Sequence, residues 1–534
     1  MNSASSNHPT DKKRRWIPVT LAILFAVLAT IFLLSTFMAE PYLKEKITER
    51  ANSFLPENAE FTIEDIDVGI LSRGVSLYGI SLERRDEDSE EEREGVRGSY
   101  IEYINASGID LWNLFTDGDI VVGEIEVEGA DLHFDPDRVA DLVQADSSGG
   151  ESRPVIVEAL RISNGNVYLY KPGLPEAQSE LQGIAVTAGN IKSGVESGED
   201  KYLPDDFDIQ VETVLHRTSN GLYEADAGDL QFSLREQTLH IETFDLTPRL
   251  SPREMPEELG HQIDHIEVNS GPVTLSGLSA TEWFSDNRIV AKMLVLDSLR
   301  IDVSRDKNFP EKPKSEKPLL NSAFANVPYS VELDSLLWQT GRISYRELEE
   351  DQEEYGQVVF DDVDITGSGF QNRDPETSFR IVASSRLMGQ SDLSVTFDFW
   401  PDEAGNQEIR GELSEIDLTE LNSVLEPLAF IRIEEGQLQS LTFDFRLDHT
   451  TSDGELVALY DNFKIRVLDK ESLDENTLNN IASFFTNQIQ IRSSNEGDDP
   501  RTGSIGFEKE EGQSTFNYWW KSLRGGIRDT IERI

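Results

Sequence analysis

Leu441-Thr442-Phe443-Asp444-Phe445-Arg446-Leu447 alternates apolar with polar or charged residues at every step. A β-strand turns successive side chains to opposite faces, so this stretch has one face of Leu and Phe and another of Thr, Asp and Arg. Val395-Thr396-Phe397-Asp398-Phe399 repeats the pattern, and Ile125-Glu126-Val127 and Val167-Tyr168-Leu169 are shorter pieces of it. Such runs, bounded by Gly, Asn and Asp, predict antiparallel strands with one buried face.

A frame recurs among them. An apolar residue stands seven positions after an apolar start, with Gly between, in Ile125/Gly129/Leu132, Leu160/Gly165/Val167, Ile266/Gly271/Val273, Leu336/Gly341/Ile343 and Ile431/Gly436/Leu438. Each reads as a hairpin whose turn uses the positive φ open to Gly. Five in one chain suggest a repeated unit stacked into a long sheet. Helical spacing is confined to 42–55, 418–425, 473–485 and 516–534, and the Pro-rich stretch 307–328 is the best linker.

Lys and Arg total 48 against 100 Asp and Glu, a formal charge of −52. That surface repels phosphate backbones and excludes nucleic-acid binding. With no cysteine in the chain, disulfides and thiolate metal sites are excluded as well.

Residues 17–39 are uncharged and mostly apolar, directly after Lys12, Lys13, Arg14 and Arg15. At 1.5 Å per residue the run reaches roughly 35 Å, enough to cross a bilayer core of about 30 Å. The basic flank puts the N-terminus in the cytoplasm and residues 40 onward outside it. A cleaved signal would need a shorter run and a small residue where Phe37 stands, so an uncleaved anchor is expected.

Phe61-Thr62-Ile63-Glu64-Asp65-Ile66-Asp67-Val68-Gly69-Ile70-Leu71-Ser72-Arg73-Gly74-Val75-Ser76-Leu77-Tyr78-Gly79-Ile80-Ser81-Leu82, just after this anchor, resembles the opening of AsmA-like proteins. So does Leu160-Arg161-Ile162-Ser163-Asn164-Gly165-Asn166-Val167-Tyr168, while Gly454-Glu455-Leu456-Val457-Ala458-Leu459-Tyr460-Asp461-Asn462-Phe463-Lys464-Ile465 and Asn517-Tyr518-Trp519-Trp520-Lys521-Ser522-Leu523 look like the family's end. The resemblance implies a bacterial inner-membrane protein whose periplasmic part is a long curved β-sheet with an apolar groove. It further implies a role in phospholipid movement or outer-membrane homeostasis, similar to bridge-like lipid-transfer proteins. It brings no catalytic motif, and the acidity and short chain depart from the largest relatives.

Pattern alone favours a β-sandwich, and the anchor, the repeats and the resemblance turn that preference. The expected fold is therefore mainly β: a transmembrane helix followed by an elongated, repeated antiparallel sheet curled into an apolar groove, with a few short helices. The expected order is a cytoplasmic tail 1–16, span 17–39, helical connector 40–55, first β-repeat region 56–306, Pro-rich linker 307–328, second β-rich AsmA-like region 329–515 and amphipathic helix 516–534. Phe397, Phe399, Phe443 and Phe445 are the candidates for lining the groove.

Chemical motifs are weak. Ser304-Arg305-Asp306-Lys307, Ser285-Asp286-Asn287 and Arg501-Thr502-Gly503 match the elements of penicillin-recognising enzymes in the wrong chain order. His261 and His265 have zincin spacing, but Gln262 replaces the Glu that would act as base. Adjacent acids such as Asp361 and Asp362 carry little information among 100. No catalytic residue, metal site or cofactor is expected. The partners expected are membrane phospholipid and other envelope proteins. In the last helix, Tyr518, Trp519, Trp520, Lys521 and Arg524 suit either a cap on the open end of the sheet or a membrane contact. The alternatives to lipid handling are a non-transporting scaffold and, less favoured, an anchored hydrolase.

Overall fold

The structure is a computed structural model and describes residues 40–52, 59–69, 73–84, 98–110, 120–134, 155–171, 176–193, 204–312, 317–468, 491–497 and 499–532. The predicted span 17–39 and the predicted helix 473–485 lie outside these. Among the described residues no helix is long and apolar enough to cross a membrane.

The chain divides into two compact units. The first holds helix α1 (Glu40–Asn52) and strands β1 (Ala59–Gly69), β2 (Gly74–Arg84), β3 (Ser99–Ser107), β4 (Ile120–Phe134), β5 (Val155–Tyr170), β6 (Ala177–Ser193) and β7 (Asp206–Arg217). β8 (Tyr223–Ser233) is divided between the units. The second continues with β9 (Thr238–Ile241), β10 (Thr243–Pro248), α2 (Glu254–Leu259), β11 (Asp264–Ser270), β12 (Val273–Ser276), α3 (Ala280–Asp286), β13 (Arg288–Asp297), β14 (Arg300–Asp306) and α4 (Leu320–Ala325). After these come β15 (Ser330–Leu348), β16 (Tyr355–Gln371), β17 (Phe379–Leu387), β18 (Ser391–Phe399), β19 (Gln407–Leu413), β20 (Ile416–Asp417), a 3-10 turn (Leu418–Leu421), α5 (Asn422–Ala429), β21 (Ile431–Leu447), β22 (Thr451–Val467), β23 (Thr502–Glu508) and α6 (Thr515–Ile531).

The mainly β expectation holds, and the sheet is mostly antiparallel. Among the described residues two places depart from it. β4 and β5 pair in parallel, and β15 runs parallel to β13 along its first half and to β14 along its second. A parallel neighbour needs a crossover connection. Residues 307–329 supply the second one, which is why the Pro-rich stretch lies inside the second unit while the compact units part near residues 219–236. The crossover is seated firmly: Leu319 and Asn321 are fully buried, and Asn321 Nδ2 donates to the carbonyls of Trp400 and Asn406.

The recurring glycine frame is not a hairpin. Gly129, Gly165, Gly341 and Gly436 lie inside β4, β5, β15 and β21, and Gly271 lies where β11 runs on into β12 without the two pairing. Seven is an odd spacing, so two residues seven apart cannot share a face of a regular strand. The steps are two, three and two: Ile125, Val127, Ala130, Leu132 in β4, and likewise Leu336, Trp338, Gly341, Ile343 in β15 and Ile431, Ile433, Gly436, Leu438 in β21. One extra residue lets the apolar series slip past and return to the same face, which is a β-bulge. At the fourth position Gly129, Asn164 and Thr340 take positive φ of 64°, 53° and 57°.

These irregular positions line up across neighbouring strands. Pairing of Tyr78 with Tyr103, Tyr103 with Glu128 and Glu128 with Ser163 sets Gly79, Glu102, Gly129 and Asn164 side by side across β2 to β5. In the second unit Gly341 lies opposite Val363, next to Asp362 at φ 50°. A bulge bends and twists its strand, so a row of them creases the sheet along one line while the register on either side is kept.

Candidate functional site

In the second unit, cross-strand pairing assembles two rows that contain only apolar residues or glycine. The first runs Leu239, Leu275, Leu294, Leu336, Gly367, Ile381, Phe397, Ile409, Phe445, Gly454 and Ile505. The second runs Ile241, Val273, Leu296, Trp338, Ile365, Ala383, Val395, Gly411, Phe443, Leu456 and Gly503. Both stand on one face, since they are two residues apart along every strand.

From β17 to β21 the opposite face is charged, whereas between the rows on β12 to β16 it carries Thr274, Val295, Leu337 and Thr366. Asp398 is buried between Arg380, at 2.7 Å, and Arg410, at 3.5 Å, and Arg410 also meets Asp444 at 3.0 Å and Glu408 at 2.6 Å. Pairs on this half-exposed face contribute little individually. The register sets Asp398 opposite Glu408 and Asp444 opposite Glu455, and Arg410 stands among three of these four acids.

The apolar face changes character along its length. Toward the C-terminus, α6 lies across it: Tyr518 is fully buried, and the Trp519 ring stands 5.1 Å from Phe397 and 6.3 Å from Phe399. Ser514 caps the helix by accepting from the Asn517 amide. Trp519 Nε1 donates to Gln407 Oε1 at 2.9 Å, Gln407 Nε2 donates to Asn321 Oδ1 at 2.7 Å, and Arg501 holds Asp529 at 2.8 Å, so the helix is tied to β19, to the crossover and to the start of β23. Burial pushes the Tyr518 hydroxyl pKa well above its ordinary value.

The groove candidates fall in this covered stretch. Phe399, Phe443 and Phe445 are buried, Phe443 with its ring in the space left by Gly411, and Phe397 is half-buried against Trp519. At the other end of the same rows, Leu239, Leu275, Leu294, Leu336, Ile381, Ile241, Val273, Leu296 and Ile365 are half-buried. Sequence reading missed these residues because their strands are short or lack strict alternation: β12 is only Val273–Ser276, and β13 carries Met293, Leu294, Val295 and Leu296 in succession. The signal that finds them is the register of β15, whose Leu336 and Trp338 extend both rows to β13.

One face of α6 packs on the apolar face of the sheet. Gly526, which weakens an isolated helix by about 1 kcal/mol, is the point where α6 comes closest to the sheet: a Cβ on Gly503 would lie 2.1 Å from the Gly526 carbonyl oxygen. On the other face Phe516 is 65% and Trp520 47% exposed, and Lys521 pairs with Glu510 at 3.0 Å. Arg524 is half-buried, and burial together with Arg528 lowers its pKa.

The chemical motifs come to little. Ser304 is buried on β14, where residues three apart face opposite ways. Lys307 sits 2.6 Å from Glu347 and 2.9 Å from Glu349; burial pulls its pKa down and the two carboxylates more than reverse this, the opposite of what a general base needs. His265 is buried with Nε2 3.0 Å from the Leu250 carbonyl, and His261 turns its Nδ1 to the Gln262 carbonyl at 3.0 Å. Among the described residues no three His, Asp or Glu side chains gather as a metal site. Asp361 lies 3.5 Å from Arg342, and Asp362 occupies the bulge.

Comparison with protein-family models and with curated proteins finds no match for the chain.

Proposed function

We propose that this is a lipid-handling envelope protein, in which the half-buried stretch of the apolar face holds phospholipid acyl chains. The observation that carries the reading is the pair of uninterrupted apolar rows that pass from beneath α6 to β9 and in which, from β17 to β9, every member but the buried Trp338 and Gly367 is half-buried. An ordinary sandwich packs such a face on a second sheet along its whole length. A face that is half-exposed over several strands is instead a site for an apolar ligand. The resemblance to AsmA-like proteins and the apolar run 17–39 support the same reading, with an anchor in the inner membrane, the bulk of the chain in the periplasm, and phospholipid transfer or outer-membrane assembly as the task. No cofactor, metal or catalytic residue is assigned.

Leu294→Glu tests it. Leu294 pairs with Leu275 and Leu336 in the middle of the uncovered stretch. A carboxylate there stays hydrated on the open side but charges the path of an acyl chain. The full-length protein, freed of detergent and extracted, is expected to carry phospholipid, and the variant to lose most of it with little change in melting. Equal phospholipid in both proteins, or none in the unaltered one, would favour the scaffold.

A further inference from the structure

We propose that the outward face of α6 docks on an anionic phospholipid bilayer, with Phe516 and Trp520 in the headgroup region and Arg524 against a lipid phosphate. Phe516, Trp520 and Arg524 follow one another at four-residue steps and form one stripe along the helix. The buried residues Tyr518, Ser522, Gly526 and Thr530 occupy the opposite side, so the stripe faces away from the sheet. Asn517, Lys521 and Arg528 continue the outward arc, which carries no acidic residue of the helix. Asp529, the helix's one acid, is turned inward to Arg501 and the Ser504 amide.

Charge supplies the choice of occupant. In a chain of net charge −52, a helix face that presents three cations beside two exposed aromatics is a local exception. Lys521 and Arg528 each have an acid neighbour, Glu510 and Glu532, whereas Arg524 has no ion pair among the described residues. Exposed Trp and Phe beside Arg is the composition of a helix lying in a bilayer interface, where the rings enter the headgroup layer and the cation meets phosphate. The acidic remainder is repelled, but screening confines that repulsion to about 8–10 Å, so contact is limited to this face. The inference does not depend on the uncovered apolar rows holding lipid.

Because the chain has no cysteine, Asn517→Cys gives a unique exposed label site on the arc. The full-length protein, labelled there with a polarity-sensitive fluorophore and carried in phosphatidylcholine nanodiscs, is mixed with vesicles of phosphatidylcholine containing phosphatidylglycerol. The emission is expected to shift to the blue and to be quenched by lipids that bear a quencher in the headgroup region. Arg524→Gln should weaken vesicle affinity about fivefold, the value of one basic contact with an anionic surface, and Phe516→Ser with Trp520→Ser should abolish the shift. The melting temperature should change little in either variant, because Phe516 and Trp520 are exposed and Arg524, half-buried, has no ion pair among the described residues to lose. No shift with anionic vesicles, or a shift of equal size on pure phosphatidylcholine that Arg524→Gln leaves unchanged, would overturn the proposal.

Discussion

Phe443→Glu is expected to destabilise the second unit by about 4 kcal/mol, as an unpaired charge in a packed site does. Phe443 is 9% exposed, its ring fills the space above Gly411, and it belongs to the buried cluster that includes Leu456, Ile505, Tyr518 and Ile531. Urea unfolding followed by tryptophan fluorescence reports it directly through Trp519, which packs on Phe397 of the same face. The contrast with Leu294→Glu is the informative part: the same charge on the same face, a few strands away, should leave the fold standing. A mild effect at Phe443 would mean that α6 does not hold this end closed.

Gly503→Leu should have an effect of similar size by a different route. The side chain would enter where the Gly526 carbonyl and Thr530 already sit, with no flexible group to move aside. Overpacking of this kind usually costs about 1–3 kcal/mol, and here the collision is with helix backbone, so α6 as a whole must lift. Detachment exposes Tyr518 and breaks the Ser452–Ser522 and Tyr460–Thr530 hydrogen bonds, at 2.8 and 3.2 Å. Hydrogen exchange over residues 515–531 should rise to the rate of an unprotected segment while β15 to β18 stay protected. Protection of α6 equal to that of the unaltered protein would show that the close approach at Gly503 does not matter.

Much of the fold was legible because alternation is a direct record of burial. In β21 the strict pattern from Leu441 to Leu447 appears in the structure as buried Phe443, Phe445 and Leu447 between exposed Thr442, Asp444 and Arg446. What misled was the glycine frame. A glycine amid alternating residues signals a turn and a bulge equally well, and the distinction lies in the parity of the spacing: seven residues with both ends on one face require one extra residue in a continuing strand. The parallel pairs were not legible at all, since the partner of β15 is fixed by a crossover whose helix, Leu320–Ala325, lies within the Pro-rich stretch read as a linker. The aromatic pairs were the most conspicuous apolar residues and so drew the groove assignment, yet large rings in strict alternation are what a covering helix packs against best. The half-buried aliphatic rows on β9, β12 and β13 become visible only when register joins them.

Site-specific photo-crosslinking at Ile381 and Val382 tests the central claim most directly. The two residues are adjacent on β17 and both apolar; Ile381 belongs to the first apolar row beside Phe397, whereas Val382 is 38% exposed on the opposite face beside Thr396. With a benzophenone amino acid placed at each position in turn in the full-length protein in cells, a phospholipid-bearing filling of the uncovered stretch predicts lipid adducts at Ile381 and none at Val382. Adducts of equal yield at both positions, or protein adducts alone at Ile381, would contradict it.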